Sequence, residues 1–181
     1  MVVSIDPLVA IVTALMAGGL VYVAWKQLSS IHGSSKAEVL RQIEARFSSP
    51  PMMGAREQAR LIFFELEKRH VSKKETEREQ NTITDFTNRL AELKDANDKK
   101  YFMLIDICSF YEMVGYLTYK NYVEFDDIYE LFGGAILTSG KLFETHIKDL
   151  QIGPPKDPKL FERFIWLLDE VRTKYKMTPR R

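Results

Sequence analysis

Two carboxylates inside one apolar segment are the side chains of this sequence best suited to chemistry. Asp106 and Glu112 interrupt the run YFMLIDICSFYEMVGYLTY at residues 101–119. On a helix, a separation of six positions places two side chains about 240° apart around the axis, so these carboxylates cannot form a catalytic dyad by themselves. A buried carboxylate needs a partner, and Arg56 or Arg60 could supply one to Glu112. Two interpretations stay open: a buried ion pair that fixes helix register, or a perturbed acid in a pocket.

Patterns typical of known catalytic and ligand-binding sites do not occur in this sequence. Residues 134–142, GAILTSGKL, approach a phosphate-binding loop, but five residues separate the glycines where that loop has four. Leu142 also replaces the hydroxyl that would bind the metal. No two histidines have the His-x-x-x-His spacing that places two metal ligands on one helix face, and Glu144 and His146 are only two positions apart, so they point to different faces. We therefore predict no catalytic, cofactor-binding or metal-binding residues.

The composition argues against two classes of protein. Lys and Arg number 26 against 25 Asp and Glu, without a clustered basic excess, so nucleic acid is not an expected partner. The single cysteine, Cys108, rules out a disulfide within the chain and a Cys-rich zinc site. Because Cys108 lies in an apolar run, we expect it to be a small residue of the core.

Residues 7–25, PLVAIVTALMAGGLVYVAW, contain no charged side chain and predict a membrane-spanning helix. Nineteen residues at the helical rise span about 28 Å, close to the hydrocarbon thickness of a bilayer. The segment has no positive charge before it and ends in bulky residues, so an uncleaved anchor is favoured over a secretory signal peptide. Membrane lipid is therefore an expected partner of residues 7–25.

The distribution of basic residues orients this predicted span. No Lys or Arg precedes it, whereas four follow within about twenty residues. The positive-inside rule then predicts a single-pass protein of the inner (plasma) membrane, with its N-terminus outside and its C-terminal domain in the cytoplasm. Tyr22 and Trp25 would lie at the inner interface, and Lys26 could reach the headgroups.

Three small residues of the predicted span share one helix face. Ala10, Ala14 and Gly18 recur at four-residue spacing, which lets two membrane helices approach closely. The same residues are also simply common in membrane helices. A homo-oligomer formed through this face therefore stays one of two interpretations.

Apolar residues at helical spacing predict the elements that must position Glu112 and its arginines. A stalk helix over residues 36–47 would end before Pro50 and Pro51, because proline cannot continue a helix. Helices are expected next near residues 53–70, 84–96, 101–119 and 126–150, and a last one begins with Asp157 as its cap. No run shows the alternation of period two that is typical of strands.

The sequence thus predicts an all-α protein with a single N-terminal transmembrane helix, a short stalk helix and a soluble bundle of about five helices. The expected domains are the anchor at residues 1–28, the hinge and stalk at 29–52, and the cytoplasmic helical domain at 53–181. The apolar run at 101–119 is assigned to the bundle, because its two carboxylates disfavour membrane insertion.

The C-terminal half shows a family resemblance. FYEMVGYLTYKNYVEFDDIYELFGGAILTSGKLFETHI, followed by GPPKDPKLFERFIWLLDEV, resembles the C-terminal signature of a family of bacterial and phage proteins of unknown function. The shared elements are a Phe-Tyr-Glu centre, an aromatic turn, an acidic helix start and a last helix rich in Leu and Trp. The resemblance implies an N-terminal membrane helix and an all-helical cytoplasmic body, and it brings no activity with it.

Two functions from different classes remain. One is a membrane-anchored interaction or regulatory module that binds a protein partner, or a second copy of itself, through its helical body. The other is a membrane-associated enzyme or toxic effector with an unfamiliar site near Glu112. A polar cleft lined by Asp106 or Glu112 would favour the enzyme, and an exposed apolar surface would favour the module.

Overall fold

The computed structural model describes residues 35–153 and 157–177, and all regular secondary structure there is helical. The six helices are α1 (residues 35–47), α2 (Pro50–Lys68), α3 (Glu75–Asp95), α4 (Lys99–Tyr119), α5 (Phe125–Ile152) and α6 (Glu162–Met177). The all-α prediction is therefore confirmed for this part of the chain.

The predicted membrane segment lies outside the described residues. That segment is residues 7–25, and the same holds for its packing face and its interface anchors: Ala10, Ala14, Gly18, Tyr22, Trp25 and Lys26. Among the helices that are described, none combines the length and the apolar character needed to cross a bilayer.

The chain divides into two compact units, Met1–Arg41 and Gln42–Arg181. In the first unit the described residues, 35–41, are helical, and Arg41 pairs with Glu38 on an exposed surface at 2.9 Å. The second unit holds the hydrophobic core.

Helix α4 lies at the centre of the second unit. It packs against α2, α3, α5 and α6, most extensively against α6. Because other helices cover most of its sides, α4 is apolar on most of its faces, although Phe102, Tyr116 and Tyr119 stay about half exposed. Cys108 is fully buried within it, as predicted, and burial raises the pKa of its thiol. The buried residues of α4 are Tyr101, Leu104, Ile107, Cys108, Phe110, Tyr111, Val114, Gly115 and Thr118.

Helix α2 begins earlier than expected because the two prolines open it. Pro50 and Pro51 occupy its first positions, after Ser49 in an extended conformation. The first amides of a helix have no partner within it, so a missing N–H costs nothing there, and the fixed φ of proline suits the helix. The prediction that the preceding helix ends here is correct, but the predicted start at residue 53 is too late.

Helix α3 is nine residues longer at its start than predicted, beginning at Glu75 instead of near Thr84. Its first turns are polar on every side, so their sequence shows no apolar stripe. Ion pairs to α2 and α5 stabilise these first turns of α3 instead. Arg78 pairs with Glu67 of α2 at 3.4 Å, and Glu79 pairs with Lys141 of α5.

The last helix also starts later than predicted. Asp157 accepts a hydrogen bond from the Lys159 N–H at 3.0 Å, but this closes only a turn over residues 158–161. Phe161 then adopts a left-handed conformation with φ 56°, which interrupts the helical path. Helix α6 begins at Glu162, directly after Phe161, whose side chain has no oxygen that could accept from the first amides of the helix.

Candidate functional site

Glu112, the carboxylate singled out by the sequence, binds the start of α6. Its Oε2 accepts the Phe164 N–H at 2.8 Å, and the Arg163 N–H is a second donor to the same carboxylate. The first amides of a helix lack partners within that helix, and the helix dipole favours a negative charge beside them. Glu112 therefore caps α6 from α4, a role that a neighbouring Ser or Asp usually fills.

The structure does not bring Glu112 together with either predicted arginine. Arg56 donates from Nη2 to the Phe47 carbonyl oxygen at 3.2 Å, and its guanidinium lies 3.7 Å from the centroid of the Phe47 ring. Arg60 pairs with Glu57 at 2.7 Å. Backbone amides thus take the place of the predicted ion pair, because the close approach of α6 presents two unpartnered N–H groups to Glu112.

The two carboxylates, Glu112 and Asp106, have different surroundings. Burial raises the pKa of Glu112, while the amides of Phe164 and Arg163 act in the opposite direction. Asp106 is exposed to solvent. Neither residue lines the groove described next.

A groove of about 680 Å³ lies in the second unit. Helices α2 and α5 form its walls, α4 supplies part of its floor, and the first turns of α3 complete it. We call it the α2–α5 groove. Its volume lies within the range of small-molecule sites, about 300–1,000 Å³.

Apolar and small side chains dominate the walls of the α2–α5 groove. On α2, Phe64 is 48% exposed and borders the opening. On α5, Gly134 has no heavy atom within 4 Å of the place where a Cβ would lie, so this wall is open. The other apolar or small residues of the lining are Ala59, Phe63, Ile107, Ala135, Thr138, Ser139, Leu142 and Phe143.

Paired charges form the rim. Arg78 and Lys141 are paired with glutamates that also line the groove, Glu67 and Glu79. Arg60 is paired with Glu57. Counting all lining residues, four cations face three carboxylates, so the groove carries a net charge of only +1.

Two buried polar atoms in the groove lining have no hydrogen-bond partner within the described residues. They are the Tyr111 hydroxyl and Arg56 Nε. Tyr111 has no exposed surface, and burial raises its pKa to about 12. The Ser139 side chain and the charge of Arg56 act in the opposite direction and lower that pKa. The hydroxyl therefore keeps its proton. An unpartnered buried donor is unusual in a folded protein and calls for an explanation.

No metal centre accompanies the groove. Across residues 35–153 and 157–177, no group of three or more His, Cys, Asp or Glu side chains could hold a metal ion. An acid–base pair does occur elsewhere: His70 Nε2 and Asp85 Oδ2 lie 2.9 Å apart. Residues 134–142, which approach the phosphate-loop pattern, lie within α5, where helical bonding uses the backbone amides.

Sequence reasoning missed the groove because its parts lie on four helices. The prediction assigns the whole apolar run at residues 101–119 to the bundle and does not distinguish Tyr111, whose ring is buried but whose hydroxyl has no partner within the described residues. One signal was present in α5. Gly134, Ala135, Thr138 and Ser139 place small side chains on adjoining positions of one helix face, which leaves room beside it.

A family model for a domain of unknown function, DUF4760, matches residues 13–171. This agrees with the expected family of unknown function. No curated protein and no solved structure matches the chain.

Proposed function

We propose that this chain, which belongs to the DUF4760 family, is a membrane-anchored helical interaction or regulatory module that binds its partner in the α2–α5 groove. The observation that carries the proposal is the groove itself. It combines an open apolar wall with a rim of paired charges, an arrangement typical of a binding site.

The membrane location is part of the same proposal and is supported by the chemistry of residues 7–25. In the bacterial or phage setting that the resemblance implies, the membrane is the inner (plasma) membrane, and the helical head faces the cytoplasm. The alternative, an enzyme or toxic effector acting near Glu112, has less support. That carboxylate is occupied by two amides, and Asp106 lies in solvent outside the groove.

We expect the full chain to remain in the membrane pellet after alkaline carbonate extraction. A variant with Val12→Arg and Met16→Arg should move to the supernatant, because each arginine at the centre of a span disfavours insertion by about 2.5–3.5 kcal/mol. Ser30→Arg adds a cation outside the span and is the matched control. Extraction of the unmodified chain into the supernatant would contradict the anchor.

Groove binding is tested by photo-crosslinking of the full chain in its membranes. Benzoylphenylalanine in place of Phe64 stands at the groove opening, and the same group in place of Leu61 stands on the exposed face of α2 outside the groove. We expect adducts from position 64 and none from position 61.

Gly134→Leu should abolish the adduct at position 64. The new side chain would project into open space in the groove, and it favours the helix by up to about 1 kcal/mol, so the fold should tolerate it. Gly54→Leu is the matched control, since Gly54 also has open space beside it but does not line the groove. An adduct that persists in Gly134→Leu, or no adduct at position 64, would refute binding in the groove.

A further inference from the structure

An exposed group of aromatic and cationic side chains lies where the end of α4 meets α6. Tyr116, Tyr119 and Lys120 have the spacing that places side chains on one helix face, and the two tyrosines are 48% and 47% exposed. On α6, the Trp166 ring lies 5.5 Å from the Tyr119 ring, and the Arg163 guanidinium lies 3.8 Å from the Tyr119 centroid. We call these five residues the aromatic surface. None of them lines the α2–α5 groove.

The chemistry of the aromatic surface is that of side chains at a boundary between hydrocarbon and water. Tyrosine and tryptophan combine an apolar ring with a polar tip, and both are enriched at the level of lipid headgroups. Lys120 and Arg163 can only donate hydrogen bonds, and so can the Trp166 indole N–H. The surface therefore suits a layer that offers oxygen acceptors above an apolar interior, as the phosphates of a phospholipid bilayer do.

The charges of the aromatic surface favour a lipid without net charge. Arg163 is paired with Glu162 at 2.8 Å, and Glu170 is exposed one turn beyond Trp166. With Lys120, two cations therefore face two carboxylates. The first turn of α5, which follows the turn after Lys120, is acidic and adds no positive charge. A balanced surface gains little from an anionic one, whereas a zwitterionic headgroup is itself neutral.

The proposed anchor places such a lipid surface within reach. Residues 26–34 separate the predicted span from the first described residue, and nine residues reach at most about 32 Å when fully extended. Tyrosine and tryptophan also occur in interfaces between proteins. The tether favours lipid, because it gives the bilayer a high effective concentration at the aromatic surface and makes weak contacts sufficient.

We propose that the aromatic surface lies against the bilayer. The rings of Tyr116, Tyr119 and Trp166 occupy the headgroup level, and their polar tips and Lys120 donate to phosphate oxygens of zwitterionic phospholipids. This inference rests on the anchor in the proposed function and is independent of the groove. The contact would give the helical head one preferred orientation on the membrane.

Trp166 itself reports the contact. The chain has two tryptophans, so Trp25→Phe leaves Trp166 as the only indole. The full chain is placed in phosphatidylcholine nanodiscs with or without bromine near the carboxyl end of one acyl chain, because bromine quenches indole fluorescence only at close range. We expect the brominated lipid to quench Trp166. A chain with Trp25→Phe, Trp166→Phe and Leu61→Trp has its indole on the exposed face of α2 instead and should not be quenched.

Tyr116→Glu tests whether the aromatic surface makes this contact. A carboxylate disfavours entry into lipid, and the exposed ring of Tyr116 can be replaced without opening the core, so quenching of Trp166 should be lost while the melting temperature is kept. Tyr175→Glu is the matched control. Tyr175 is 51% exposed and nine positions from Trp166, on the opposite side of α6, so this variant should retain the quenching.

An unquenched Trp166, equal quenching at Trp166 and at Leu61→Trp, or quenching that survives Tyr116→Glu would overturn the proposal. Benzoylphenylalanine in place of Tyr116 should form adducts with lipid, and an adduct with a protein instead would also overturn it. If carbonate leaves the unmodified chain in the pellet, each of these results refutes the contact alone and the anchor stands. Extraction of that chain refutes the anchor, and the contact fails with it.

Discussion

Gly115→Ala is expected to destabilise the protein by about 2–3 kcal/mol, even though alanine favours a helix over glycine by about 1 kcal/mol. A Cβ at Gly115 would overlap the backbone carbonyl oxygen of Arg163 at the start of α6. Because the obstacle is main chain, no side-chain rotation can relieve the overlap, and α6 must move away from α4. For a chain of this size, the melting temperature should fall by about 4–12 °C.

Gly54→Ala is the matched control for this effect. It is also a helical glycine, but no heavy atom lies within 4 Å of its Cβ position, so alanine there should be neutral or slightly stabilising. Thermal unfolding followed by circular dichroism measures both variants. A Gly115→Ala protein that melts as high as Gly54→Ala would show that the close contact of α4 with α6 does not exist in solution.

Glu112→Ala is expected to cost about 2 kcal/mol or more, because it leaves the amides of Phe164 and Arg163 without an acceptor at a partly buried helix start. Glu112→Gln retains an oxygen that can accept from those amides, so it should remain close to the unmodified protein. Denaturant unfolding at neutral pH measures the difference. Equal losses in the two variants would refute the capping role.

The raised pKa of Glu112 determines whether the free energy of unfolding rises or falls with pH. Burial raises the pKa in the folded state, so the folded protein binds the proton more tightly than the unfolded chain does. The stability that Glu112 contributes should therefore fall as the pH rises from the ordinary pKa of glutamate through the raised pKa of the folded protein. Glu112→Gln cannot titrate, and its stability should lack that component.

Glu112 and Gly115 both stabilise the contact between α4 and α6, and a double variant can measure how strongly their effects depend on each other. The carboxylate holds the first amides of α6, and the glycine lets the α6 backbone approach α4 closely enough for that bond. Once alanine at position 115 has pushed α6 away, loss of the carboxylate should cost little more. The double variant should therefore lose less stability than the sum of the two single variants.

The helices themselves were largely predictable because most of them bury an apolar stripe. Residues such as Ile128, Phe132 and Phe143 recur at helical spacing in α5, and they are buried as that spacing requires. The break between α3 and α4 also suits its residue types, since Asn97 adopts φ 51° and the Asp98 side chain accepts the Lys100 N–H.

Sequence reasoning fails where a side chain bonds to the main chain of a distant residue, and where a buried side chain has no hydrogen-bond partner. Glu112 was expected to need a cation, and its partners are two amides more than fifty residues away. Pro50 was interpreted only as a stop, although it also starts α2. The hydroxyl of Tyr111 looks like any other in the sequence, since only packing decides that it goes unsatisfied.

The solitary thiol of Cys108 has a practical consequence. It belongs to the helix that touches four of the others, and it is completely enclosed. A thiol-specific reagent can therefore reach it only when that helix leaves the interior, so fraying at the ends of the other described helices does not expose it. The rate at which Cys108 is modified therefore reports how often the core around α4 opens, and no label needs to be engineered.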